Sequence, residues 1–122
     1  MPERARVTKE LAQLLGVLAH PHRIRIVEEL KDTEKDVNTL QEALAISHSG
    51  VSQHLAILRA HRLVLERKEG RHVYYSLRQP GMARWLLDAL PFLEPERHDS
   101  EELVHAIERV KALWGEEGAK EN

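Results

Sequence analysis

There is no cysteine among the 122 residues. Disulfides, thiolate metal sites, persulfide chemistry and cysteine nucleophiles are therefore excluded. No apolar run approaches the ~20 residues that a bilayer-spanning helix needs. The N-terminus, Met1-Pro2-Glu3-Arg4-Ala5-Arg6, leads into an amphipathic pattern rather than a signal-peptide core, so a cytoplasmic protein is expected. His-Glu-x-x-His, Gly-x-Ser-x-Gly, the P-loop and Gly-x-Gly-x-x-Gly are all missing, and the scattered carboxylates form no obvious acid/base pair. The sequence thus points to no enzyme and no cofactor. An excess of positive charge is also lacking, since the formal net charge is -2.

That last absence reverses when the charge is divided along the chain. Residues 48–72 carry five Lys/Arg against two Asp/Glu, a local balance of +3, while the flanks are -1 and -4. A duplex responds to the field at its contact surface, so a basic centre with His48, His54, His61 and His72 is compatible with phosphate binding. The acidic ends are expected to face away.

Within that centre, Ile46 to Val64 reads as a helix. Val51, Leu55 and Leu58 recur at helical spacing and bury one face, and Ser47 offers a hydroxyl to cap the first turn. The outward face shows His48, Ser49, Ser52, Gln53 and then Arg59, a polar surface suited to base edges in a major groove.

Earlier in the chain, Thr8 is expected to cap a helix bearing Leu11, Leu14, Leu15 and Leu18. Pro21 opens a second helix with a buried stripe of Ile24, Val27 and Leu30. Lys31 to Lys35 is loop-like, Val37 is a candidate for a very short strand, and Asn38 caps a third helix holding Leu40, Ala43 and Leu44. Only Ala45-Ile46-Ser47 separates the third helix from the next, which is a helix-turn-helix spacing. After Val64 the period becomes alternating: Leu65 to Glu69 and His72 to Leu77 form two strands joined by Gly70-Arg71. This hairpin carries Arg67, Lys68 and Arg71, placed to meet phosphates or a minor groove beside the recognition helix. Pro80 then starts a helix that Pro91 ends or kinks, and Asp99 or Ser100 caps a last helix bearing Leu103, Ile107, Val110 and Trp114.

The fold class expected is mainly α with a β-hairpin wing: one winged helix-turn-helix domain over residues 1–122. Residues 37–61 form the helix-turn-helix, 64–78 the wing and 115–122 a frayed tail. The apolar stripes of 1–19 and 79–114 either complete one core or, as preferred here, pair across a two-fold axis. Two recognition helices would then lie about 34–36 Å apart, one turn of duplex.

Three segments together resemble the ArsR/SmtB family of bacterial winged-helix repressors: Leu18-Ala19-His20-Pro21-His22-Arg23-Ile24-Arg25-Ile26, Ser47 to Leu58 around Val51-Ser52-Gln53-His54-Leu55, and Arg67 to Leu77. The resemblance covers roughly residues 10–78. It implies a homodimeric repressor that covers a double-stranded operator and releases it when an inducer binds. It also implies that His48, Ser49, Ser52, Gln53 and His54 lie on or beside the groove-facing side.

Members of the family are often metal sensors, but the residues that would carry this role are not here. The cysteine-bearing site of the third helix falls at Asp36 and Asn38, and the other familiar site falls at Gln79, Gly81, Phe92 and Pro95. Membership therefore does not by itself make this chain a metal sensor. An alternative set, Glu96, His98, His105 and Glu108, has an acidic-x-His and a His-x-x-Glu able to offer N and O ligands to Zn or Ni. His20 and His22 form a His-x-His that the helix start at Pro21 explains structurally. A repressor whose inducer is not a thiol-bound metal is the leading expectation, with a Zn/Ni-responsive repressor and a protein-binding winged helix as the alternatives.

Overall fold

The computed structural model describes residues 2–93 and 101–120, with side chains described through residue 113. The chain divides into two compact units, residues 1–83 and 84–122.

The first unit opens on helix α1 (Pro2–Leu18), which starts six residues before the expected cap. Pro2 suits a first turn because the amide it lacks would have no helical partner. Thr8 is not a cap: its hydroxyl donates to the Arg4 carbonyl one turn back, at 2.9 Å. Helix α2 (Pro21–Glu29) begins at Pro21 as expected, capped by His20, whose Nδ1 accepts from the His22 amide at 3.1 Å. Its buried residues are Ile26 and Val27, followed by Leu30. Ile24, expected in the stripe, is 40% exposed, because the face that meets the neighbouring helices is shifted by two residues.

Lys35–Asp36 forms a two-residue strand, β1, in place of one at Val37. Asp36, not Asn38, caps helix α3 (Val37–Leu44), accepting the Thr39 amide at 2.8 Å. That backbone bond, with the Thr39 side chain second, holds the Asp36 carboxyl below its ordinary range. Replacing Asp36 by alanine is expected to cost about 1 kcal/mol, read as a lowered urea midpoint at unchanged slope. Asn in its place should retain most of the lost stability, whereas an unaltered midpoint in the alanine variant would remove the cap from the account.

Helix α3 ends on Ala45, at φ 56°, and the chain turns through Ile46 and Ser47 into helix α4 (His48–Ala60). The Ser47 hydroxyl caps α4 by accepting the Gly50 amide at 3.0 Å. As the periodicity requires, Val51, Leu55 and Leu58 are the buried residues of α4. With Ile26, Val27 and Leu40 they form the centre of the core. Strands β2 (Val64–Glu69) and β3 (His72–Leu77) pair antiparallel around the two-residue Gly70-Arg71 turn, with Val64 opposite Leu77 and Glu69 opposite His72. Gly70 takes φ +60°, a left-handed value that glycine adopts without a Cβ penalty. Strand β1 adds to the far side of β3, giving a three-stranded sheet in the order β1-β3-β2. The hairpin is thus tied to the start of α3, which the alternating pattern alone does not reveal.

Helix α5 (Gly81–Leu87) follows, and its Ala83 is buried. In the second unit a single 3-10 turn, Leu90–Phe92, contains Pro91, so the helix ends before that proline rather than at it. Helix α6 (Glu101–Lys120) continues past Gly115, where the sequence suggests a frayed tail. Its expected caps, Asp99 and Ser100, lie outside the described residues. Leu90, Pro91, Leu93, Val104 and Ile107 line an apolar groove of about 190 Å³ in this unit. No helix among the described residues is long and apolar enough to cross a membrane.

Candidate nucleic-acid interface

The first turn of α4 is polar because its apolar residues are needed on the opposite face. Gln53, His48 and Ser49 are exposed, and the Ser49 hydroxyl lies 3.3 Å from that of Ser47. His48 and Ser52 join Arg71 and His72 of the wing, Asp36 and Asn38 of the α3 start, and Tyr75 around an open cleft of about 300 Å³. Two segments predicted separately, the front of α4 and the hairpin tip, therefore share one concave surface. β1 brings about that meeting by fastening the hairpin beside the α3 start.

The basic residues expected on this surface differ in how free they are. Arg71 is exposed and has no ion pair among the described residues. Arg67 is held by two carboxylates: its Nε donates to Glu34 Oε2 at 3.0 Å and its Nη1 to Glu69 Oε2 at 2.8 Å, with the guanidinium 4.8 Å from the Tyr74 ring centre. These partners push the Arg67 pKa further up, and the bond to Arg67 holds the Glu34 carboxyl below its ordinary value. Arg59 pairs with Glu66 at 3.1 Å, and the Tyr75 hydroxyl donates to the same Glu66 oxygen at 3.2 Å. Lys68 is only 3.9 Å from Glu66 and is otherwise solvated. Arg59 and Arg67 thus brace the sheet against α4 and the α2–β1 loop, and Arg71 and Lys68 are the looser cations.

His54 departs furthest from expectation. Instead of lining the cleft it packs against the start of α2, with its ring 4.4 Å from His20 and 5.5 Å from His22. Its Nδ1 accepts from Arg23 Nε at 3.4 Å, and Arg23 also donates to the Val17 carbonyl at 3.0 Å. Burial first, then electrostatic interaction with His20, Arg23 and His22, pulls the His54 pKa below its ordinary value. A separation of 31 residues between Arg23 and His54 leaves no trace in local sequence spacing.

A family model described as a helix-turn-helix domain matches residues 18–67. The SmtB homolog of Synechocystis, named a transcriptional repressor, is 44% identical over 69 residues, covering 57% of this chain and 52% of its own length. This chain therefore spans about half of that protein. The biofilm growth-associated repressor of Agrobacterium fabrum is 34% identical over 100 residues, 80% of this chain and 85% of that protein. Among solved structures, reduced HlyU from Vibrio cholerae superposes with a TM-score of 0.67 at 30% identity, over 78% of this chain and all of that one. The chain belongs to the ArsR/SmtB family of winged-helix regulators. These relatives are named as regulators of transcription, not enzymes.

Of the sensor positions in this ArsR/SmtB chain, Asp36 is committed to capping α3 and Gly81 begins α5, while Pro95 lies outside the described residues. Of the alternative acidic and histidine set, Glu96 and His98 lie outside the described residues. His105 and Glu108 are one turn apart on exposed α6, 3.8 Å from Nδ1 to Oε2.

Proposed function

We propose that the chain is a cytoplasmic, sequence-specific DNA-binding repressor that acts as a homodimer on a palindromic operator, with an inducer not held by thiolates. The observation that carries this is the shared cleft of α4 and the wing, in which His48 and Ser52 stand beside Arg71. Ser49, Ser52 and Gln53 are short enough to reach base edges without displacing the backbone of α4 from the groove. Arg71, at a two-residue turn and without an ion pair among the described residues, is a cation free to meet a phosphate.

The homodimer rests on apolar residues that the first unit leaves in solvent. Val7, Leu11 and Leu15 recur every four residues along α1 and are 67%, 49% and 49% exposed. A stripe of that kind on an isolated helix face is a liability unless a second copy covers it. Repression rather than activation follows the names of the Synechocystis and Agrobacterium relatives, although HlyU of Vibrio cholerae is named an activator.

The decisive test is fluorescence anisotropy on the chain's own upstream DNA and on a scrambled duplex. Specific binding supports the proposal, while equal affinity for both duplexes favours a protein-binding winged helix. Two variants separate base contacts from phosphate contacts. Gln53→Ala is expected to relax preference at particular operator positions by about 1–3 kcal/mol. Arg71→Ala should weaken all duplexes alike and reduce the salt slope by about one per chain. An unchanged slope in Arg71→Ala removes the wing from the interface. The sign of regulation is read by transcription from the same DNA with and without the protein.

A further inference from the structure

His20, His22 and His54 come together where the start of α2 meets the middle of α4. One ring nitrogen from each lies within 4.8 Å of the other two, and all three residues are half-buried. Their ring centres are 4.4–5.5 Å apart. We propose that these three imidazoles form a binding site for a single Zn(II)-class ion, with the remaining coordination position open to water. The site lies outside the cleft described above and shares no residue with the Glu96/His98/His105/Glu108 set.

The donor set selects the ion. Three imidazoles without a thiolate or carboxylate suit the borderline divalent metals, Zn, Ni, Co and Cu, and not Ca or Mg, which take oxygen ligands. A tetrahedral Zn–N length near 2.0–2.1 Å puts ligand nitrogens about 3.4 Å apart, so the rings need to close by little more than 1 Å. Two of the three are on firm supports: His20 directly precedes Pro21 at the start of α2, and His54 sits among buried Val51, Leu55 and Leu58 on one helix.

Loading this site carries a structural consequence that follows from the ring nitrogens. His20 Nδ1 accepts the His22 amide, and His54 Nδ1 accepts Arg23 Nε. An ion on Nδ1 takes the lone pair that accepts these bonds, and an ion on Nε2 of a neutral ring leaves a proton on Nδ1. In either case both bonds are lost. Occupancy therefore exchanges the cap of α2 and the Arg23 tie to α4 for metal bonds. The ion acts on the packing of the recognition helix without touching the cleft.

The test uses the full chain, freed of metal and without DNA, titrated with Co(II) and followed by its visible ligand-field bands, then back-titrated with Zn(II). One ion per chain is expected. His22→Ala is the informative variant, because among the described contacts the fold uses the His22 backbone amide and not the imidazole for hydrogen bonding. It should weaken binding at least about tenfold with unchanged far-UV circular dichroism. His54→Gln should do the same, and His105→Ala should bind as the parent does. In the parent, Zn(II) should also speed hydrogen exchange at the His22 amide as its acceptor is withdrawn. No ion bound, undiminished binding by His22→Ala, or loss in His105→Ala instead would overturn the proposal. Because none of these readouts needs DNA, a failure here is distinct from a failure of the operator-binding proposal.

Discussion

Leu55→Ala is expected to lower the unfolding free energy by about 2–5 kcal/mol. Leu55 is 1% exposed and stands between Val51 and Leu58, both fully buried, on the face of α4 that meets α2 and α3. Its removal costs the transfer of the lost methyl groups and also leaves a cavity, because Ile26, Val27 and Leu40 are held on separate helices. A domain of this size has a total stability of roughly 5–15 kcal/mol, so the variant should show a much lower urea midpoint and a reduced folded yield. Ala56, exposed one residue later on the same helix, provides the control. Ala56→Ser should shift the midpoint by no more than about 0.5 kcal/mol. If Leu55→Ala were equally silent, α4 would not be packed as described, and the polar face assigned to DNA would lose its basis.

The helix-turn-helix and the hairpin were legible in the sequence because every signal that defines them is local. Ser47 at a cap, a three- to four-residue apolar period from Val51 to Leu58, and Gly70-Arg71 between alternating strands each act within a few residues. Errors of one to six residues arose where two local signals compete. Asp36 and Asn38 are both good caps, and the short pairing of β1 with β3 decides for Asp36. Ile24 and Ile26 each continue an apolar stripe, and only the position of the neighbouring helices selects Ile26. Thr8 was a plausible cap inside a segment that Pro2 had already started as a helix.

What lay beyond local pattern was the pairing of side chains far apart in sequence. Arg67 looked like a free phosphate contact from the hairpin alone, and the fold sets it on Glu34, 33 residues away. His54 looked like a groove-facing residue from its place on α4, and the fold sets it against His20 and His22. In both cases the residue type is local, while its partner depends on how α2 lies against α4 and the wing against the α2–β1 loop.

Breaking the proposed dimer should have the largest effect on DNA. Leu11→Glu combined with Leu15→Glu places two charges in the exposed stripe of α1, where the first unit itself has little packing to lose. The variant is expected to stay folded and to sediment as a monomer, whereas the parent sediments as a dimer. A monomer holds one recognition helix, so binding of the second half-site no longer benefits from being intramolecular. Operator affinity should fall by about 10²- to 10⁴-fold, the usual gain from linking two sites at matched spacing. The salt dependence should fall with it, by about half, since half the phosphate contacts per complex are gone. That second readout separates dimer loss from damage to the interface, because Gln53→Ala alters sequence preference with little change in slope. Two results would count against the two-fold arrangement: a variant still dimeric, with α1 then playing no part in it, or a monomer that binds the operator as tightly as the parent.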